Sequence, residues 1–191
     1  MRVFTAIDID EKIRKSLGDL QAELEGLAND AGVRRGDVKW VNPKAMHLTL
    51  NFLGEIEDGK VSEVCDIVKD VSVKHKNFEI NVEKVGCFGG RSARVLWIGA
   101  GEGNDGLLAL QKELAQRFVA AGFPQEEREF SGHLTLCRIR NPKAGVKLSQ
   151  ISQRYEGFKA GVVKADSVRV YKSELTPSGP IYTLLNEYKL Q

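Results

Sequence analysis

The residues with chemical potential announce themselves by repetition. His47-Leu48-Thr49-Leu50 recurs letter for letter as His133-Leu134-Thr135-Leu136, in a chain of 191 residues with only three histidines. A repeated word built on a rare residue marks an internal repeat. The copies stand nearly half the chain apart, too far for a solenoid period, so they read as equivalent strands from two halves of one domain. On a strand, residues i and i+2 share a face. Each word therefore presents its His and Thr together and turns its leucines the other way. Two such strands at one cleft gather two imidazoles and two hydroxyls. Imidazole titrates near pH ~6.5, so one ring can hold a proton while the other accepts one. Cleaving a phosphodiester needs a base on the attacking oxygen, an acid on the leaving oxygen and donors for the nonbridging oxygens. His47 and His133 suit the first two tasks, and Thr49 and Thr135 the third.

Other readings of the same residues compete with this one. A single His-x-Thr word would be an ordinary hydrogen-bonded pair, but packing alone has no use for two identical copies. Two histidines could ligate a metal, yet no HExxH or HxH pattern and no neighbouring carboxylate set completes a coordination shell. No metal or other cofactor is expected. Cys137 lies four residues after His133, a spacing that would place both on one strand face as a Cys–His pair, although the first word has no matching cysteine. His75, between Lys74 and Lys76, reads as a solvated loop residue.

The elements that must carry these words follow from periodicity. The run Val3–Ile9 predicts a strand, and Asp10 a cap for a helix with Ile13, Leu17, Leu20, Leu24 and Leu27 on one stripe. Gly32 and Gly36 open a basic loop, and Val38–Val41 predicts a short strand. The first word continues to Leu53 and is stopped by Gly54. A helix spans Asp58–Val71, a strand Phe78–Val85, a bend Gly86, Gly89 and Gly90, and a strand Arg94–Gly99. After the loop Gly101–Gly106, a helix Leu107–Ala121 is capped by Asp105 and stopped by Gly122. The second word runs to Ile139. A weaker helix Leu148–Arg154, a long strand Val162–Tyr171, a turn at Pro177, Gly179 and Pro180 and a strand Ile181–Leu190 complete the chain. This order predicts an α+β fold of mainly antiparallel sheets, as one domain over 1–191 with two pseudo-equivalent lobes facing across a cleft.

Composition narrows the setting. Hydrophobic residues make up 42% and charged residues 28%, as in a soluble globular protein. A net charge of +2 is too small to argue for nucleic acid by itself, but basic residues cluster around the words. Arg34, Arg35, Lys39 and Lys44 precede the first; Arg138, Arg140, Lys143 and Lys147 follow the second. We expect Lys143 and Lys147 to line the cleft entrance. The three cysteines have no CxxC spacing and read as reduced thiols. The sequence runs from Met1 straight into a strand and contains no apolar run near the ~20 residues of a membrane span. A cytoplasmic protein without membrane contact is the expectation.

These residues resemble the two-histidine (2H) phosphoesterase superfamily. Within it the chain is similar to the RNA 2′,3′-cyclic phosphodiesterases, also called 2′-5′ RNA ligases. The resemblance rests on the opening Arg2-Val3-Phe4-Thr5-Ala6-Ile7, on Trp40, on HLTLNFLG at 47–54, on HLTLCR at 133–138, and on Ser173 through Tyr182. It implies a bilobal fold and metal-independent hydrolysis of RNA 2′,3′-cyclic phosphate ends, such as those of tRNA halves, to 2′-phosphates. It also implies reversible 2′-5′ ligation and a cytoplasmic monomer. By motif position, His47 would be the acid for the departing O3′, His133 the base for water, and Thr49 and Thr135 the phosphate holders.

Arg138 and Phe52 stand five residues after their histidines, an odd step that turns them from the His–Thr face unless the strand ends or bulges. We assign both to RNA binding, by stacking, cation–π contact or an Arg–phosphate fork; for Phe52 the rival is core packing. Two other functions fit the words: a phosphodiesterase for another cyclic phosphate, such as an ADP-ribose derivative, and a non-catalytic module that binds RNA ends.

Overall fold

Apolar alternation dictates where the strands lie, and the computed structural model, which describes residues 1–101, 104–126, 128–177 and 179–191, shows where each is paired. The order is β1 (Arg2–Asp8), α1 (Glu11–Asp30), β2 (Val38–Trp40), β3 (His47–Glu55), α2 (Val61–Ser72), β4 (Phe78–Phe88), β5 (Val95–Ala100), α3 (Asp105–Ala120), β6 (His133–Ile139), α4 (Pro142–Ser152), β7 (Lys159–Ala165), β8 (Ser167–Thr176) and β9 (Gly179–Lys189). Among the described residues the strands form two antiparallel sheets, ordered β3-β1-β8-β9 and β2-β6-β5-β4-β7. The first histidine word lies on β3 in one sheet and the second on β6 in the other. Helices α2 and α3 pack on the first lobe, while α1 and α4 pack on the second. The expected α+β bilobal architecture is present.

Local chemistry explains the elements that place the site. Asp10 accepts from the Ile13 amide at 2.8 Å, an N-cap worth about 1 kcal/mol. Ile13, Leu17, Leu20 and Leu24 are then buried along one stripe of α1. Leu48, Leu50 and Leu53 of β3, and Leu134 and Leu136 of β6, are buried, while His47, Thr49, His133 and Thr135 are partly open. The words thus split as a strand should, leucines to the core and His–Thr to the cleft.

Several boundaries differ from the sequence expectation. Gly54 does not stop β3; it lies within the strand at φ 72°, where a β-bulge meets β1. Gly86 lies inside β4, not in the bend, and glycine is needed there because a Cβ would meet the Trp97 ring at 2.5 Å. Asn104, not Asp105, caps α3 by accepting from the Leu107 amide at 2.8 Å. Of that loop, Glu102 and Gly103 lie outside the described residues, as does Ser178 of the C-terminal motif. Helix α4 starts at Pro142, earlier than expected, with Asn141 as cap and proline at the first helical position. The long strand expected over 162–171 is two strands in different sheets, broken at Asp166. Its alternation fails there, since Ser167 and Val168 are both buried.

The lobes are not the two sequence halves. The first sheet joins β1 and β3 to β8 and β9 from the far end of the chain, so the polypeptide crosses between lobes several times.

Candidate active site

Both histidines are oriented by the same device. The Nδ1 of His47 lies 3.0 Å from the carbonyl oxygen of Ala45, and that of His133 lies 2.7 Å from the carbonyl oxygen of Ser131. A carbonyl can only accept, so each Nδ1 carries the hydrogen and donates it. Each Nε2 is left as the atom free for chemistry. The carbonyl lies two residues before the histidine in both words, so the repeat extends from sequence to hydrogen bonding.

The environments of the two rings differ. His47 stacks on Phe4 at 4.6 Å between centroids and meets Tyr182 edge-on at 5.0 Å. Burial pushes its imidazole down to about 4, against the upward pull of the Ala45 carbonyl and the Asp8 carboxylate. At neutral pH the ring of the free protein is therefore uncharged. His133 meets Phe88 edge-on at 5.0 Å, with Trp97 beyond it at 6.4 Å.

The odd-step problem of Phe52 and Arg138 is resolved by bulges. In the β1–β3 register Ala6 faces Thr49 and Thr5 faces Asn51, leaving Leu50 as the extra residue. In the β5–β6 register Trp97 faces Thr135 and Leu96 faces Cys137, leaving Leu136 extra. Both words bulge at their final leucine. The added residue restores the face, so Phe52 and Arg138 turn back into the cleft. Phe52 is 42% exposed, which removes core packing as its role, and the Arg2 guanidinium lies 4.8 Å from its ring centroid. The same bulge sends Cys137 to the core instead of the His133 face. Burial raises its thiol to about 12, so it is no nucleophile beside His133.

The cleft encloses about 550 Å³ between the sheets and contains His47, Thr49, Phe52, His133, Thr135 and Arg138 together. All six residues picked from the sequence therefore line one cavity. Arg2, Lys39 and Tyr182 line it as well and were not singled out. Arg2 and Tyr182 occur only within the end motifs, and Lys39 only within a basic cluster, with nothing in their spacing to mark them. Among the described residues no Asp or Glu lines the cleft, and no three His, Cys, Asp or Glu side chains gather as a metal site. Three cations without a lining carboxylate make a positive trap for an anion.

Lys143 and Lys147 do not line the cleft. Lys147 instead donates to the Ala31 carbonyl at the end of α1, at 2.5 Å. His75 is not simply solvated, since its Nε2 lies 2.9 Å from the Glu113 carboxylate, and it does not line the cleft.

A two-lobed fold with paired, identically oriented imidazoles in a cationic cleft suits an anionic phosphate ester, and comparisons with known proteins give the family. The family described as "LigT like Phosphoesterase" matches residues 7–97 and 98–182. The chain belongs to this family. It is 34% identical to the RNA 2′,3′-cyclic phosphodiesterase of Methanothermobacter thermautotrophicus, over 100% of this chain and 99% of that one. The protein of the same name from Thermotoga maritima is also 34% identical, with 100% and 96% covered. The crystal structure of a Thermus thermophilus protein superposes with a TM-score of 0.80 at 25% identity, covering 100% of this chain and 98% of that one. Among the described residues, no helix is long and apolar enough to cross a membrane.

Proposed function

We propose that this protein hydrolyses RNA 2′,3′-cyclic phosphate ends to 2′-phosphates by acid–base catalysis between His47 and His133, with no metal in the chemical step. The observation that carries the reading is the pair of matched Nε2 atoms on opposing sheets of a cavity that holds cations and, among the described residues, no lining carboxylate. Full-length relatives named for this activity support the substrate.

In the proposed reaction His133 takes a proton from water as its oxygen bonds to phosphorus, and His47 gives a proton to O3′ as the P–O3′ bond breaks. His133 ends protonated and His47 neutral, and exchange with solvent resets both. Thr49 and Thr135 donate to the nonbridging oxygens, which become more negative in the transition state. Phe52 and Arg138 hold the terminal nucleotide by stacking and by charge. A 5′-hydroxyl in place of water would form a 2′-5′ bond, so reversible ligation belongs to the same proposal. So do a monomeric state, tRNA halves as substrates and a cytoplasmic location, the last supported by cysteines without a disulfide.

A second assignment exchanges the two roles. It is favoured by the burial of His47, which keeps that ring neutral at pH 7 and available as a base. In the first assignment the negative charge of the bound substrate must raise His47 so that the ring takes up a proton from solvent.

The test is incubation of pure protein, in EDTA, with an oligonucleotide bearing a 2′,3′-cyclic phosphate and separately with an ADP-ribose cyclic phosphate. A phosphatase-sensitive 2′-phosphate on the RNA is the expected product. Preference for the ADP-ribose compound, binding without turnover, or activity restored only by one divalent ion would each overturn a stated part of the reading.

A further inference from the structure

We propose that Arg14 is a positioning residue for His47, fixing the turn before β3 so that the Ala45 carbonyl selects the imidazole tautomer. The proposal rests on the reading of His47 as a proton-transfer group.

Arg14 is on the first turn of α1 and its side chain is only 11% exposed. Its Nη1 donates to three main-chain carbonyls: Pro43 at 2.9 Å, Lys44 at 3.1 Å and Met46 at 3.0 Å. Its Nη2 donates to Asp8, whose other carboxylate oxygen accepts from Arg169. Asp8 sits directly opposite His47 in the β1–β3 register. Arg14 is therefore anchored to the strand alongside His47 while it grips the turn that leads into it.

The division of carbonyls is what gives the contact a purpose. Residues 43–46 form a tight turn, closed by the Ala45 amide on Asn42 at 2.8 Å and the Met46 amide on Pro43 at 3.1 Å. Three of its four carbonyls face Arg14, and the remaining one, that of Ala45, faces His47. The guanidinium grips the turn through Nη1 while Nη2 stays on Asp8, whereas an ammonium, with a single nitrogen, cannot reach both in that fixed fork. His133 needs no such clamp. There the Ala100 amide bonds to the Gly132 carbonyl at 2.9 Å, so the sheet itself places the segment that offers the Ser131 carbonyl. Arg14 supplies to the first word what the β5 edge supplies to the second. The tautomer matters because only a neutral ring with hydrogen on Nδ1 leaves Nε2 unprotonated, able to take up a proton from the cleft.

The experiment compares Arg14→Lys and Arg14→Gln with the unaltered protein. Nitrogen-15 correlation spectra of the ligand-free protein should show His47 losing its uniform Nδ1–H tautomer in both variants, while His133 keeps its own. The rate should fall in kcat by roughly 10–100-fold, the size seen when a partner that orients a metal-bound histidine is lost, with KM unchanged. In a His47→Ala background Arg14→Lys should cost nothing further. Retention of the Nδ1–H form, or an equal loss of rate with and without His47, would overturn the proposal. If Arg14→Gln does not fold, Arg14→Lys keeps the charge and the Asp8 pairing and carries the same readouts. The spectra need no substrate. A protein inactive on RNA that still shows the tautomer change would refute the functional reading and leave this one standing.

Discussion

A histidine buried away from water holds its proton poorly, and for His47 this has a consequence in stability as well as in chemistry. Its folded value of about 4 lies below the ~6.5 of an unfolded chain. As pH falls from 6.5 towards 4 the unfolded state takes up the proton first, so stability is lost across that window and is complete only above it. The full effect is up to ~3 kcal/mol, less whatever solvent reaches the ring. Urea denaturation between pH 7 and pH 4 should therefore show a steeper fall for the unaltered protein than for His47→Phe. Parallel curves would mean that the ring is not desolvated. At this scale the sequence was informative about type and pairing, since His47, Thr49, His133 and Thr135 carry their own signature. It was silent about Asp8, Arg14 and Tyr182, because a contact between distant parts of the chain leaves no local period to read.

The strand words work because of a defect. A regular β6 would place Cys137 beside His133 and turn Arg138 into the core. The bulge at Leu136 reverses both, and Gln21 of α1 holds it by donating to the Leu136 carbonyl at 2.8 Å. The sequence could say only that a bulge or a strand end was needed, since alternation counts residues and not their partners. The same blindness joined β7 to β8 and made Gly54 a stop instead of a kink. Strands and the helices α1, α2 and α3 were legible because their buried stripes are long; the start of α4 was missed because its Asn141-Pro142 signal lies outside any stripe. Close approach at the base of β6 gives an element-scale prediction. A Cβ at Gly132 would lie 2.1 Å from the Ala100 carbonyl oxygen, a main-chain atom with little room to move. Gly132→Ala should cost about 1–3 kcal/mol and lower the rate by shifting His133. Undiminished stability in urea would contradict that approach.

Across the whole molecule the chain laces the lobes together, with β1 and β3 in one sheet, β2 and β6 in the other, and a return to the first at β8. The first sheet draws its strands from both ends of the sequence, and the second from the residues between 38 and 165. We propose on this basis that residues 1–191 form one cooperative unit, and thermal unfolding followed by fluorescence and by circular dichroism should give one coincident transition. Two separated transitions would make the lobes independent. The cationic lining gives a second prediction at this scale. Lys39→Ala should weaken a cyclic-ended oligonucleotide more than a cyclic mononucleotide and flatten its salt dependence, because longer RNA neutralises more charge. Equal effects on both would place Lys39 at the reacting phosphate only. The central claim is that each lobe contributes one proton-transfer group, on opposite sides of phosphorus. His47→Ala and His133→Ala should each slow hydrolysis by at least the ~10²–10⁴-fold of a lost acid or base. The decisive measurement repeats this with sulfur in place of O3′ in the cyclic substrate, since a thiolate leaves without needing a proton. His47→Ala should regain much of its rate on the sulfur substrate while His133→Ala should not; rescue confined to His133→Ala would exchange the roles, and rescue of both or neither would contradict the division into one acid and one base.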